Sequence, residues 1–117
     1  MKAIFIILNH TEYLEDVLCV FVKHGVKGAT ILDSQGMASA IVYGDIHEIP
    51  LFGALKATLE GAHPYNKTIF TVVKNEEVVE KVIRSVEQLL EDIQKPGVGF
   101  IFTVPVDAII PIGYKKK

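Results

Sequence analysis

Apolar residues along this chain fall into runs of alternating character. Residues 3–8 (AIFIIL) are continuously apolar, the pattern of a central strand covered on both faces. Asn9, His10 and Thr11 interrupt the run and offer polar side chains suited to capping a helix. From 12 to 24 the apolar residues Leu14, Val17, Leu18, Phe21 and Val22 recur at helical spacing. Gly25 is the natural stop, with Lys23 and His24 in the last turn, where the helix dipole favours cations. Gly28 marks a further bend before a second strand over 29–33.

The stretch from Ser34 to Asn66 breaks this economy. It is far longer than a hairpin loop, which takes about 2–5 residues. Its first part, SQGMASA, is small and reads as flexible. Ile41, Val42 and Tyr43 form a strand-like island, and 44–50 reads as a loop. Residues 51–59 carry Leu51, Leu55 and Leu59 on one stripe, the pattern of a short amphipathic helix. Gly61, Pro64 and Asn66 end it. A long insertion in a compact domain points to function.

Regular periodicity then returns. Residues 68–73 (TIFTVV) form a third strand, and Asn75 can cap the helix that follows, with Glu76 and Glu77 in its first turn. That helix has a wide apolar stripe from Val78 to Ile93 and an opposite face of Glu80, Lys81, Arg84, Glu87, Glu91 and Asp92. Pro96 and Gly97 close it. Gly97-Val98-Gly99 leads directly into an apolar strand over 100–104, and 106–112 is expected to add a short fifth strand at an edge. The order β-α-β, long loop, β-α-β predicts a single α+β domain over 1–117. Its fold class is ferredoxin-like βαββαβ: a four-stranded antiparallel sheet, two helices on one face, and a long loop between strands 2 and 3. The strands are apolar on both faces, so the uncovered face is expected to meet another subunit.

Composition narrows the function classes. The 117 residues are 50% apolar and carry a formal net charge of −2, which argues against a nucleic-acid partner. The lone cysteine, Cys19, excludes an internal disulfide and a cysteine-cluster metal site, and its helical position predicts a small buried side chain. The opening MKAIFIIL is too short for a secretory leader, and no run of about 18 apolar residues exists to be membrane-embedded. A cytoplasmic location is therefore the expectation. His10, His24, His47 and His63 show no close metal-ligand spacing, although His47 and His63 share one segment with Asp45 and Glu48. No order of Ser, His and Asp or of Cys and His marks a catalytic centre, so no enzyme is expected. The backbone N–H groups around Gly97-Val98-Gly99 can surround an anion.

Three motifs in this order, Gly25-Val26-Lys27-Gly28-Ala29-Thr30, Asp33-Ser34-Gln35-Gly36-Met37 and the run from Pro96 to Val106, resemble the nitrogen regulatory P-II superfamily over nearly the whole chain. The resemblance implies a homotrimer with nucleotide sites between subunits. It also implies a partner-docking T-loop over 35–66 and a B-loop at the glycine turn. On that reading the ligand-binding candidates are Gly28, Thr30, Gly36, Met37, Gly97, Val98, Gly99 and Phe100, the ligand is a small anionic metabolite such as ATP, ADP or AMP, and the partner is a regulated enzyme or membrane transporter.

The sequence also departs from the pattern. Phe100 stands where nucleotide-binding members carry a basic residue, and Pro111 and Gly113 match positions of arginines on the final strand. Ala38 and Ala40 replace the second glycine and the glutamine of the T-loop root, so metal-assisted 2-oxoglutarate binding is not expected. The alternative is a CutA-like trimeric metal-binding or metal-tolerance protein, which shares the architecture.

Overall fold

The structure, a computed structural model, describes residues 1–43, 65–93 and 97–113. The elements are β1 (Lys2–Leu8), a 3-10 turn (Thr11–Tyr13), α1 (Leu14–Lys23), β2 (Thr30–Ser34), α2 (Met37–Tyr43), β3 (Asn66–Val73), α3 (Glu76–Glu91) and β4 (Gly99–Pro105). The strands form one sheet in the order β2-β3-β1-β4, with every neighbouring pair antiparallel. This is the α+β, ferredoxin-like arrangement expected from the sequence, with the most apolar strand, β1, inside the sheet.

Strand alternation decides which residues meet the helices. Ile4, Ile6 and Leu8 of β1 and Ile69 of β3 are fully buried and pack with Val17 and Phe21 of α1 and Val79, Val82 and Val86 of α3. The α3 residues lie three and four apart, so one helical stripe fills the core. Asn75 caps α3 as expected: its Oδ1 accepts from the Glu77 N–H at 2.8 Å. Asn75→Ala is expected to cost about 1 kcal/mol in urea unfolding, leaving the fold intact. Gly25, at φ +82°, ends α1. The Val26 N–H donates to the Phe21 carbonyl and the Gly25 N–H to the Val22 carbonyl, both orphan acceptors of the last turn. At the far end of the sheet, a hydrogen bond from the chain's amino terminus, and then Lys2, hold the Glu76 carboxyl below its ordinary range.

Several local expectations are corrected. Ile41-Val42-Tyr43 is no strand but the last turn of α2. The helix-favouring Met37 and Ala40 outweigh the β-branched pair, and the Ala40 N–H donates to the Gly36 carbonyl at 2.9 Å. Cys19 is exposed. Two residues on from Val17 and two before Phe21, it points about 200° away from their buried stripe. Val22, placed on that stripe by its spacing, is also exposed, at 73%. The N-cap residues of the 3-10 turn and α1, His10 and Tyr13, make no side-chain cap bond.

Residues 106–113 contain no strand. The Val106 N–H makes one bond to the Met1 carbonyl, and the chain then runs out with Ile110 and Ile112 exposed. Pro111 has no N–H to give a ladder. Asn66, expected to end the long insertion, begins β3, and Ser34, expected to open that insertion, ends β2 opposite it. The expected helix at 51–59 lies outside the described residues.

The second face of the sheet carries an aromatic ladder. Phe5 pairs across β1 with Phe70 and with Phe102, at ring-centroid distances of 5.5 and 4.8 Å. Phe100 stacks on Phe102 at 6.1 Å. Phe102, Val104 and Val72 remain substantially exposed on this face of the single chain.

Candidate ligand site at the glycine turn

Four strand ends converge at one end of the sheet. Leu8, the last residue of β1, pairs with Gly99 at the start of β4 and with Lys67 near the start of β3. Ser34, the last residue of β2, pairs with Asn66, the first of β3. The register therefore brings the glycine turn and both stems of the long segment to the same end of the sheet, with the end of β1 between them. The two glycines have different local causes. Gly97 sits at φ +64°, a left-handed turn that costs other residues energy, and a Cβ there would meet nothing within 4 Å. At Gly99 a Cβ would lie 2.1 Å from the Ile7 carbonyl oxygen, so β4 approaches β1 too closely for any side chain.

Asn9 holds the turn from the end of β1. Its N–H donates to the Val98 carbonyl at 2.8 Å, and its side-chain Nδ2 donates to the Gly97 carbonyl at 2.9 Å. Its Oδ1 accepts from Asn66 Nδ2 at 3.2 Å. The Asn66 Oδ1 accepts in turn from the Ser34 hydroxyl, which also meets the Thr68 hydroxyl at 2.7 Å. Asn66 is buried. In sequence, Asn9 reads as a helix cap and Asn66 as the end of the long segment. The available signal was an asparagine at each of two strand ends, and its meaning depended on the register.

The candidate residues separate into two groups. Gly97, Val98, Gly99 and Gly36 gather around this network, since a Cβ at Gly36 would stand 3.9 Å from Asn66 Nδ2. Met37, next in sequence, opens α2 and is 78% exposed. Gly28 and Thr30 lie elsewhere. Gly28 accepts from the Thr71 hydroxyl at 2.6 Å, and Thr30 pairs with Phe70, at the other end of β2. β2 and β4 are opposite edges of the sheet, three strand spacings or about 14 Å apart. The two groups do not meet within one chain.

Phe100 turns its ring onto the aromatic face beside Phe102. On the helix face, a groove of about 550 Å³ between α3 and β4 is lined by apolar residues including Ile83, Leu90, Val98 and Ile101, and by Glu87 and Glu91. Those carboxylates disfavour an anion there.

The described histidines have other engagements. His24 Nε2 meets the Ser85 hydroxyl at 2.8 Å and ties α1 to α3, while His10 Nδ1 lies 3.8 Å from Glu12. Among the described residues no three potential metal ligands cluster. His47, His63, Asp45 and Glu48 lie outside them. Nor does any helix of the described residues have the length and apolarity to cross a membrane.

The fold and this strand-end arrangement define a ferredoxin-like protein whose glycine turn is bridged by Asn9 and Asn66 to the stems of a long inter-strand segment. The family model described as Nitrogen regulatory protein P-II matches residues 1–116, and the chain belongs to that family. It is a family of regulatory signalling proteins that act as trimers and interact with partner proteins. No curated protein matches the chain.

Proposed function

We propose that this protein is a non-catalytic P-II-type signalling protein, one domain spanning 1–117. It forms a homotrimer, binds a small anionic metabolite in the cleft between subunits, and regulates a partner enzyme or membrane transporter through 35–66. One observation carries the reading: on a P-II chain, the glycine turn and both stems of the long segment lie at one end of the sheet, bridged by Asn9 and Asn66. A ligand that contacts such a turn shifts the population of whatever is anchored beside it. The separation of the two candidate groups supports a site between copies. One copy supplies Gly97-Val98-Gly99 with Gly36 and Met37, and the next supplies Gly28 and Thr30. An adenine nucleotide is the first candidate ligand. Phe100 in place of a cation favours a ligand of low phosphate charge, such as AMP, over ATP.

Calorimetry with ATP, ADP, AMP and cyclic nucleotides tests this, with one pair of variants as the probe. Gly97→Asp places a carboxylate beside the turn amides, at a position where a side chain has open space. Aspartate and asparagine both tolerate the left-handed region. Gly97→Asp is expected to lower affinity at least tenfold, and Gly97→Asn to bind within about threefold of wild type, as expected for a repulsive charge near a phosphate. Absence of binding to every nucleotide by a trimeric sample would remove the nucleotide reading. Equal affinities in the two variants would place the anion away from the turn.

A further inference from the structure

The hydrogen bonds around Asn9 have a single direction. Asn9 uses Nδ2 to donate to Gly97 and Oδ1 to accept from Asn66. Asn66 likewise uses Nδ2 to donate to Asn9 and Oδ1 to accept from the Ser34 hydroxyl. With its proton committed to Asn66, Ser34 accepts from the Thr68 hydroxyl. Donation thus runs from Thr68 through Ser34, Asn66 and Asn9 to the Gly97 carbonyl, from β3 and β2 past the end of β1 to the turn before β4.

We propose that Asn9 and Asn66 form a clasp through which the glycine turn and both stems of the long segment loosen and tighten as one unit. Each amide has one orientation that satisfies both neighbours, so turning one leaves the next with donor facing donor or acceptor facing acceptor. Asn66 is 8% exposed, so water cannot readily substitute for its lost partners, whereas the outer bond from Asn9 to the Gly97 carbonyl is exposed. Aligned bonds in such surroundings also strengthen one another. Displacement of the Gly97 carbonyl therefore releases Asn9, then Asn66, and then the hydroxyl of Ser34 at the end of β2. Because Asn66 stands against Gly36, the start of α2 is part of the same unit. The clasp gives the proposed ligand a route to the long segment, and in that consequence alone it rests on the functional reading above.

Amide hydrogen exchange on the full chain without ligand tests the clasp. Ser34→Ala removes a group that has no contact with the turn. It is expected to raise exchange at 97–99 at least fivefold, as well as at 34–37 and 66–68. Asn9→Asp keeps the acceptor for Asn66 but loses the Nδ2 donor to Gly97, and is expected to raise exchange at 97–99 and, through the same chain, at 34–37 and 66–68. Lys67→Ala breaks the ion pair with Asp33 on the same two stems, and is expected to affect the stems while leaving 97–99 unchanged. Exchange at 97–99 within twofold of wild type in Ser34→Ala overturns the proposal. Should Ser34→Ala fail to fold, Thr68→Val carries the same test from the head of the chain. Nucleotide affinity measured on the same samples is a separate readout: coupled exchange without any ligand would sink the functional reading and leave the clasp standing.

Discussion

Gly99→Ala is expected to destabilise the protein by about 3 kcal/mol or more, against about 1 kcal/mol for Gly97→Ala, two positions away. The turn contains both glycines, but they answer to different constraints. The alanine Cβ at 99 would stand 2.1 Å from the Ile7 carbonyl oxygen and 3.2 Å from its carbonyl carbon. These are backbone atoms of the strand that carries Ile4, Ile6 and Leu8 into the core. They cannot swing aside as a side-chain tip can, so relief requires moving β4 off β1 and breaking the ladder from Leu8 onward. At 97 the new methyl meets open space, and only the left-handed φ is penalised. Urea unfolding midpoints, with m-values checked for a shared unfolded state, separate the two. Equal midpoints would mean that β4 can shift freely, and would remove the steric reason for glycine at 99. A charge introduced at 99 is consequently no probe of ligand binding, since it damages the sheet first; position 97 is the informative one.

The same pair shows what the sequence made legible and what it left hidden. The stripe of α3, its Asn75 cap, the Gly25 stop and the apolar run of β1 each state their role within a few residues, because helix and strand periods are local properties. Topology followed from their order. The candidate site was legible as a glycine turn and a long segment, and the motifs linked them by resemblance. What could not be read was the geometry between them. Asn9 looks like a helix cap in sequence, and it becomes the holder of the turn only because β4 pairs with β1 in a register that leaves the Gly97 and Val98 carbonyls over it. Asn66 lies 57 positions from Asn9, and no local pattern signals their contact. Cys19 and Val22 failed for a smaller reason: apolar character alone does not fix helical phase, and Cys19 falls on the face opposite the buried stripe while Val22 falls beyond its margin. Phe100 was legible as a missing cation, but its positive role, extending a ring stack, needed the faces of the sheet to be assigned.

Phe102→Asp is expected to convert the proposed trimer into a monomer at micromolar concentration, weakening association by at least 100-fold, about 3 kcal/mol. Phe102 is the ring against which Phe5 lies almost parallel, at 4.8 Å and 2°. Even so, 42% of its surface is left exposed by the single chain, together with Val104 and Val72 on the same face. A carboxylate there would be desolvated by a second copy with no cation paired to it, which a packed apolar face resists strongly. Within one chain the loss is milder, about 1 kcal/mol for the stacked pair, because Ile4, Ile6 and Leu8 and the helix-side core are untouched. Sedimentation equilibrium should therefore show the mass fall threefold, with little change in far-ultraviolet circular dichroism. A variant that keeps the wild-type mass would show that the aromatic face is not the contact between copies, and a site between subunits would then have to be built from another surface.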